Sequence, residues 1–483
     1  MFSLDLPPGI VAVLTALQVM WIIASSVYIL LERRSPQATI AWIATFAVLP
    51  VLGFLIYLFL GPRRFDRRKR RRRRARKVVR GQQAGSGRCE LPGAPAEHAS
   101  TVALLENAVG DAAVLRWADV DLLLSGKQKY LALEEALRSA SSKILIEYYI
   151  WECDRTGTRI RDILAERASK GVQVRVIVDG LGSSGAGRAF WAPVRAAGGE
   201  VRHFNGVNWS NWRPTMTNFR THRKIVVIDG HIGFTGGMNL TENHTEEFAG
   251  PGAWRDTHLR LSGTAVEGLA AVFYEDWQYA GGDAPAIMQA PTVKSPIEAA
   301  FVDVPVQIVS SGPDENISAI HKLFFTVMTG ARRRIQLTTP YFVPDEPIMQ
   351  ALIVAALRGV PVDLLLPASG DQPFVAAAAR SYYPELLAAG VRIHELSQPV
   401  LHSKTLLVDD IAIIGTANMD NRSFRLNFEV VAVMYDQRVA AQLADAFAAD
   451  VAKSVRLDEA TLNADPLRRR LLAAVARLFS PML

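Results

Sequence analysis

The pattern H-x-K-x4-D occurs twice in this 483-residue chain, and two copies in matching surroundings require a duplicated architecture. The first copy is His222, Lys224 and Asp229; the second is His402, Lys404 and Asp409. Between lysine and aspartate stand four β-branched or apolar residues, Ile225-Val226-Val227-Ile228 and Thr405-Leu406-Leu407-Val408, which predicts a strand each time. A glycine and, three residues on, an asparagine follow both copies: Gly236 and Asn239, then Gly415 and Asn418. Along a strand, residues two apart share a face, so each histidine sits beside its lysine. The aspartate falls at odd spacing, on the other face, where it braces the strand and its turn.

The surrounding hydropathy also repeats. Strands are expected at 143–151, 172–178, 200–204, around 225–235 and at 257–261, with helices at 157–170, 186–197 and 264–280. The same order recurs as strands 305–310, 334–339, 360–366, 391–396, around 405–414 and 428–434, with helices 316–329, 345–358, 373–389 and 437–453. Alternation of this kind gives an α/β fold with helices on the faces of a sheet. Recurrence gives two similar halves, expected at 101–290 and 291–483.

Two uncharged stretches precede the halves. Residues 9–31 would form a helix about 35 Å long, enough for a hydrocarbon core of about 30 Å. Residues 38–61 form the second stretch, with Pro50 inside it, after the polar break Glu32-Arg33-Arg34-Ser35-Pro36-Gln37. A cleaved signal peptide would begin basic and be shorter, whereas residues 1–8 contain no Lys or Arg. A transmembrane hairpin over 1–62 is therefore expected.

Charge is concentrated just after it. The chain carries a net +7, and residues 63–80 alone hold thirteen Lys or Arg and one acid. Residues 1–62 are neutral, so 81–483 carry a net −5. A folded domain of that sign is a poor partner for nucleic acid, whose binding draws on phosphate neutralisation. The basic run should face the cytoplasm by the positive-inside bias and attract anionic lipid, with 63–100 as a juxtamembrane segment and linker. Two cysteines, Cys89 and Cys153, make no disulfide framework, which suits a reducing compartment.

On these motifs the chain resembles the phospholipase D superfamily, whose mark is a pair of H-x-K-x4-D copies, and within it the bacterial cardiolipin synthases. The likeness extends to Ser35-Pro36, Glu147-Tyr148-Tyr149, Trp254-Arg255-Asp256-Thr257-His258, Thr339-Pro340-Tyr341-Phe342-Val343-Pro344, Asn418-Met419-Asp420-Asn421-Arg422-Ser423 and Asn427-Phe428-Glu429. It implies two phospholipase D-like halves in a pseudo-twofold α/β sandwich, with one active site at their interface. It also implies an enzyme that joins two phosphatidylglycerols into cardiolipin through a phosphatidyl-histidine.

The residues suit that chemistry. Displacement at a phosphodiester concentrates charge on the non-bridging oxygens, and Lys224, Lys404, Asn239 and Asn418 offer donors for them. Two histidines can divide the nucleophilic and proton-transfer work. The resemblance makes His222 the nucleophile and His402 the general acid/base, although the near-symmetric sequence leaves the reverse open. Asp256 and Glu429 are candidates for orienting the two imidazoles, the alternative being ordinary ion pairs. No metal or cofactor is expected, because the lysines supply positive charge and His222, His231 and His244 lack metal-ligand spacing. A phospholipid hydrolase, a nuclease and an inactive membrane scaffold are the competing readings. The stretch 205–219, with Trp209, Trp212 and Met216, is either an interfacial loop or an active-site rim. The C-terminal segment 466–483 is a basic amphipathic helix, either lying on the membrane or docked on the second half.

Overall fold

The computed structural model describes residues 7–31, 36–49, 52, 53, 57, 96–109, 114–206, 218–283, 299–315 and 318–480. The basic run at 63–80, Cys89 and the 209–216 stretch lie outside the described residues. The chain divides into a small N-terminal unit, built on residues 1–65, and a large one that holds both motifs.

In the small unit, α1 (Pro8–Leu31) runs for 24 residues without a charged side chain and α2 (Pro36–Val48) for 13. Ile29, Phe46 and Tyr57 are buried together, and Trp42 meets the Tyr57 ring edge-on at 5.1 Å. Most other apolar side chains of α1 are exposed, among them Val13, Leu17, Met20 and Ile23. Among the residues whose side chains are described, no helix is long and apolar enough to cross a membrane. In α1 the unbroken run of such residues is 15–31; α2 ends at Val48, residues 52, 53 and 57 are helical again, and the rest of 50–61 lies outside the described residues.

The large unit is built on a 15-stranded sheet. Its first-half strands are β1 (Arg116–Leu123), β2 (Lys143–Tyr148), β3 (Gln173–Asp179), β4 (Glu200–Phe204), β5 (Lys224–Ile228), β6 (Ile232–Gly236) and β7 (His258–Ser262). The second half supplies β8 (Phe301–Ser311), β9 (Ile335–Thr338), β10 (Phe342–Val343), β11 (Val362–Pro367), β12 (Arg392–Leu396), β13 (Thr405–Val408), β14 (Ile411–Gly415), β15 (Met419–Asp420), β16 (Glu429–Tyr435) and β17 (Val455–Arg456). The order across the sheet is β17-β12-β11-β9-β13-β14-β16-β8-β1-β7-β6-β5-β2-β3-β4, and β10 pairs with β15 apart from it. Read outward from the antiparallel β1–β8 pair, the two halves have the same sequence of strands, with β17 added at the outer edge of the second. The duplication is thus a pseudo-twofold about that pair. β6 also packs across against β14 and β16, so the halves face each other as layers.

Local chemistry repeats with the topology. Asp154 caps the helix Arg155–Ser169 by accepting from the Gly157 amide at 2.7 Å, and Asp345 with Pro347 opens the helix Glu346–Leu357. Each helix then turns into a parallel strand through a glycine at positive φ, Gly171 at 87° and Gly359 at 84°. Parallel β2-β3-β4 and β9-β11-β12 therefore end on the same side, as open α/β sheets require for a cleft at their carboxyl ends.

Asp229 and Asp409, counted with the motif's catalytic set, stand at the far ends of β5 and β13 and do not reach the cleft. Both adopt positive φ, 50° and 54°. Asp229 accepts from the amides of Ser141, Ser142 and Lys143 and from both serine hydroxyls, each at 2.8 Å; Asp409 accepts from the amides of Arg332, Arg333 and Arg334. Each aspartate thus ties the motif strand to the start of its neighbour, where a hydrogen bond to a charged group contributes about 1.5–3 kcal/mol.

Several elements differ from expectation. β1 and the helix Gly126–Ser139 are additional; the acidic alternation of Asp119 and Asp121 masks the strand, and Asp121 pairs with Arg260 of β7. The helix expected at 373–389 breaks into Pro373–Arg380 and Tyr383–Ala388, because Pro384 has no amide hydrogen to continue it. Only Ala192–Ala196 is helical of 186–197. The helix Ala99–Val109 straddles the expected boundary at 101, yet its Val102 and Leu105 lie in the second half's core.

Candidate active site

Each motif histidine is held by the opposite half. Thr221 bridges to Phe428 in parallel, with the His222 amide donating to the Phe428 carbonyl at 2.9 Å. Arg255 bridges to Leu401 in the same way, with the His402 amide donating to the Arg255 carbonyl at 2.8 Å. These crossings bring His222 Nδ1 to 3.0 Å from Glu429 Oε2 and His402 Nδ1 to 2.7 Å from Asp256 Oδ2. Both carboxylates are completely buried. A carboxylate that accepts from Nδ1 leaves each Nε2 as the working nitrogen.

The lysines lie where strand periodicity puts them. Lys224 Nζ donates to the His222 carbonyl at 2.8 Å, and Lys404 Nζ donates to the His402 carbonyl and stands 3.0 Å from His402 Nδ1. The intervening residues point the other way. Arg223 is buried against Asp276 and the Glu429 carbonyl, and the Ser403 hydroxyl bonds Thr257. Asn239 and Asn418 are nearly inaccessible, and their amide oxygens have no partner among the described residues. The Tyr130 hydroxyl donates to the main-chain carbonyl of Asn239 at 2.7 Å, and the Ser423 hydroxyl accepts from the main-chain amide of Asn418 at 3.1 Å.

The chain matches the family described as "Cardiolipin synthase, PLD-like domain" over residues 133–249 and 324–451, and "Phospholipase_D-nuclease N-terminal" over 19–62. A cardiolipin synthase of Geobacillus thermodenitrificans is 38% identical over 480 residues, covering 98% of this chain and 94% of the relative. One of Alkalihalophilus pseudofirmus is 36% identical over 482 residues, with the same coverage. The chain belongs to the cardiolipin synthase family. The fold has a counterpart in the crystal structure of phosphatidylserine synthase from Haemophilus influenzae Rd KW20, with TM-score 0.59 and 16% identity over 80% of this chain and all of that one.

As a member of the cardiolipin synthase family, the chain places six basic or acidic side chains in one water-poor site, and burial governs their charge. Burial and the nearby Lys404 push Lys224 down to about 7, and burial pushes Lys404 down to about 8 against the pull of Asp256 and Glu429. His402 falls well below its ordinary value through burial and then the charges of Lys404 and Lys224. His222 also falls, mainly through burial, although Glu429 opposes this. On its own the site thus has little appetite for further positive charge. An anion bound among these four groups would supply the missing counter-charge and favour their protonated forms.

A pH dependence follows. On the free enzyme, kcat/KM for a lipid phosphodiester should fall as pH rises through about 7 to 8, because the lysines then lose the charge that holds phosphate. Lys224→Arg, whose charge does not titrate there, should move the falling limb up toward the value of Lys404. A profile that stays level to pH 9 would remove the lysines from phosphate binding.

Sequence reasoning missed the layer behind the imidazoles. Glu429 is held by the Thr416 and Ser423 hydroxyls and by the Asn427 amide, and the Tyr149 ring meets His222 at 5.0 Å. His244, five residues after Asn239 as Ser423 is after Asn418, stands 4.0 Å from Asp256 and packs on His402. His244, Asp256 and His402 together approach metal-ligand spacing. However, Asp256 Oδ2 already accepts from His402, and Lys404 Nζ beside that nitrogen would repel a cation.

Proposed function

We propose that the protein is a phosphatidyltransferase that converts two phosphatidylglycerols into cardiolipin and glycerol. The observation that carries this is the crossed pair His222–Glu429 and His402–Asp256, each imidazole from one half and each carboxylate from the other. His222 Nε2 attacks the phosphorus of the donor lipid. The P–O bond to glycerol breaks as the N–P bond forms, and His402 delivers its proton to the departing glycerol oxygen. The headgroup hydroxyl of a second lipid then gives its proton to His402 and attacks phosphorus, and the N–P bond breaks. Lys224, Lys404, Asn239 and Asn418 hold the non-bridging oxygens in both steps. One well-placed donor of this kind lowers a barrier by about 3–4 kcal/mol.

The membrane arrangement belongs to the same reading. The α1 helix and the apolar residues after it form a hairpin in the bilayer, consistent with the outward apolar faces around the Ile29–Phe46–Tyr57 contact. The basic run after it keeps the enzymatic unit on the cytoplasmic side. The helix Leu467–Leu478 is anchored by buried Ala473 and Ala476 and by Arg477 over the Tyr382 ring. It leaves Leu471, Leu472, Val475 and Leu478 exposed beside its arginines, a face suited to an anionic lipid surface.

The test is incubation of purified protein with headgroup- and acyl-labelled phosphatidylglycerol in vesicles. Cardiolipin and free glycerol in equal amounts are expected. Phosphatidic acid with no cardiolipin would replace this reading by a hydrolase.

A further inference from the structure

The carboxylate of Asp371 bonds neither imidazole. Tyr341 and β10 follow the carboxyl end of β9, and Phe342 of β10 pairs in parallel with Met419 of β15, directly after Asn418. The pairing is locked by the Thr339 hydroxyl, which donates to the Tyr341 carbonyl at 2.9 Å and accepts from the Met419 amide at 3.2 Å. Tyr341 is thereby fixed beside the phosphate-site asparagine. Its hydroxyl donates to Asp371, 2.8 Å from both carboxylate oxygens. Asp371 is exposed in the loop after β11, and among the described residues no Lys or Arg pairs with it. Its charge still reaches the catalytic Lys404, and the Tyr341 phenol feels Tyr149, the ring that covers His222.

An uncompensated carboxylate beside an anion-binding site weakens phosphate binding by like-charge repulsion. Its presence calls for a ligand group that it recognises better than water does. A neutral 1,2-diol is such a group. A carboxylate accepts hydrogen bonds from hydroxyls and cannot donate, so it orients a diol and rejects a second anion.

Resting on the reading above, we infer that Asp371 and Tyr341 form the alcohol subsite, where they hold the hydroxyl next to the reacting oxygen of a glycerol headgroup. The two half-reactions are the reverse of one another, so one subsite serves both the leaving glycerol and the entering headgroup. The adjacent hydroxyl donates to Asp371 while the reacting oxygen faces His402 Nε2. Tyr341 gives up one of its two contacts with the carboxylate and fixes the rotamer of the other.

The test is an internal competition, which reads selectivity whatever the total rate. Full-length protein in phosphatidylglycerol vesicles is given equal concentrations of ethylene glycol and ethanol, which differ by the adjacent hydroxyl. The wild type should form phosphatidyl-ethylene glycol over phosphatidylethanol by about tenfold or more, the worth of one charged hydrogen bond. Asp371→Ala and Asp371→Asn should bring the ratio to within about twofold of the hydroxyl count, and Tyr341→Phe to an intermediate value. A ratio unchanged in Asp371→Ala, or in Tyr341→Phe and Asp371→Asn where Asp371→Ala gives no product, overturns the subsite and leaves the transferase reading intact. A wild type that consumes no phosphatidylglycerol removes both.

Discussion

Given a phosphodiester donor with a p-nitrophenyl leaving group, His402→Ala protein is expected to release one p-nitrophenol per site and then stall. His222→Ala should release none. The leaving group needs no proton, so the first step depends only on the nucleophile and on the donors for phosphate. On the proposed assignment His222 is that nucleophile, with Glu429 on Nδ1 and the Nε2 lone pair left for phosphorus. Without His402 nothing accepts the proton of the entering alcohol, and the adduct persists. With phosphatidylglycerol itself, which requires both histidines, either substitution should reduce kcat by about 10⁴-fold or more, as when one member of a concerted catalytic set is removed. Intact-protein mass spectrometry with peptide mapping checks the outcome. A phosphoryl group found on residue 402 of His222→Ala protein would exchange the two roles.

Much of this was legible from one chain because the duplication made each half a control for the other. The motif strands, the order of elements and the placement of Asp229 and Asp409 at turns follow from period-two patterning and from spacing. The crossing of the halves does not follow, since no local pattern reveals that Thr221 lies against Phe428 or Arg255 against Leu401. The Tyr341–Asp371 contact joins residues 30 positions apart through the ends of two parallel strands, which a linear pattern also conceals. The positions around each asparagine do carry a signal. Aligning the copies on Asn239 and Asn418 places His244 opposite Ser423 and Gly237 near Thr416, and these are the groups that surround the two buried carboxylates.

That difference gives the carboxylates separate consequences. Glu429 accepts from Thr416 Oγ1 at 2.5 Å, Ser423 Oγ at 3.0 Å, Asn427 Nδ2 at 3.3 Å and the His222 ring at 3.0 Å. Burial alone would raise its pKa, but His222 and these hydrogen bonds hold it below the ordinary value. Asp256 accepts from the Thr257 amide and the His402 ring, both at 2.7 Å, and its pKa is raised by burial in spite of Lys404. Gly237 makes room for the shorter side chain: a Cβ there would lie 2.0 Å from Asp256 Oδ1. A firmly anionic Glu429 suits an imidazole that becomes a cationic phosphoryl adduct, whereas a softer Asp256 suits one that gains and loses a proton each turn. Glu429→Gln should therefore abolish the p-nitrophenol burst, because an amide that donates to Nδ1 forces the proton onto Nε2 and removes the lone pair. The loss expected from such a reversed tautomer is about 10⁴-fold in kcat. Asp256→Asn should retain the burst and fail at turnover, as His402→Ala does. The stopped-flow burst amplitude separates the two, and a full burst in Glu429→Gln would show that the anion does not set the nucleophile.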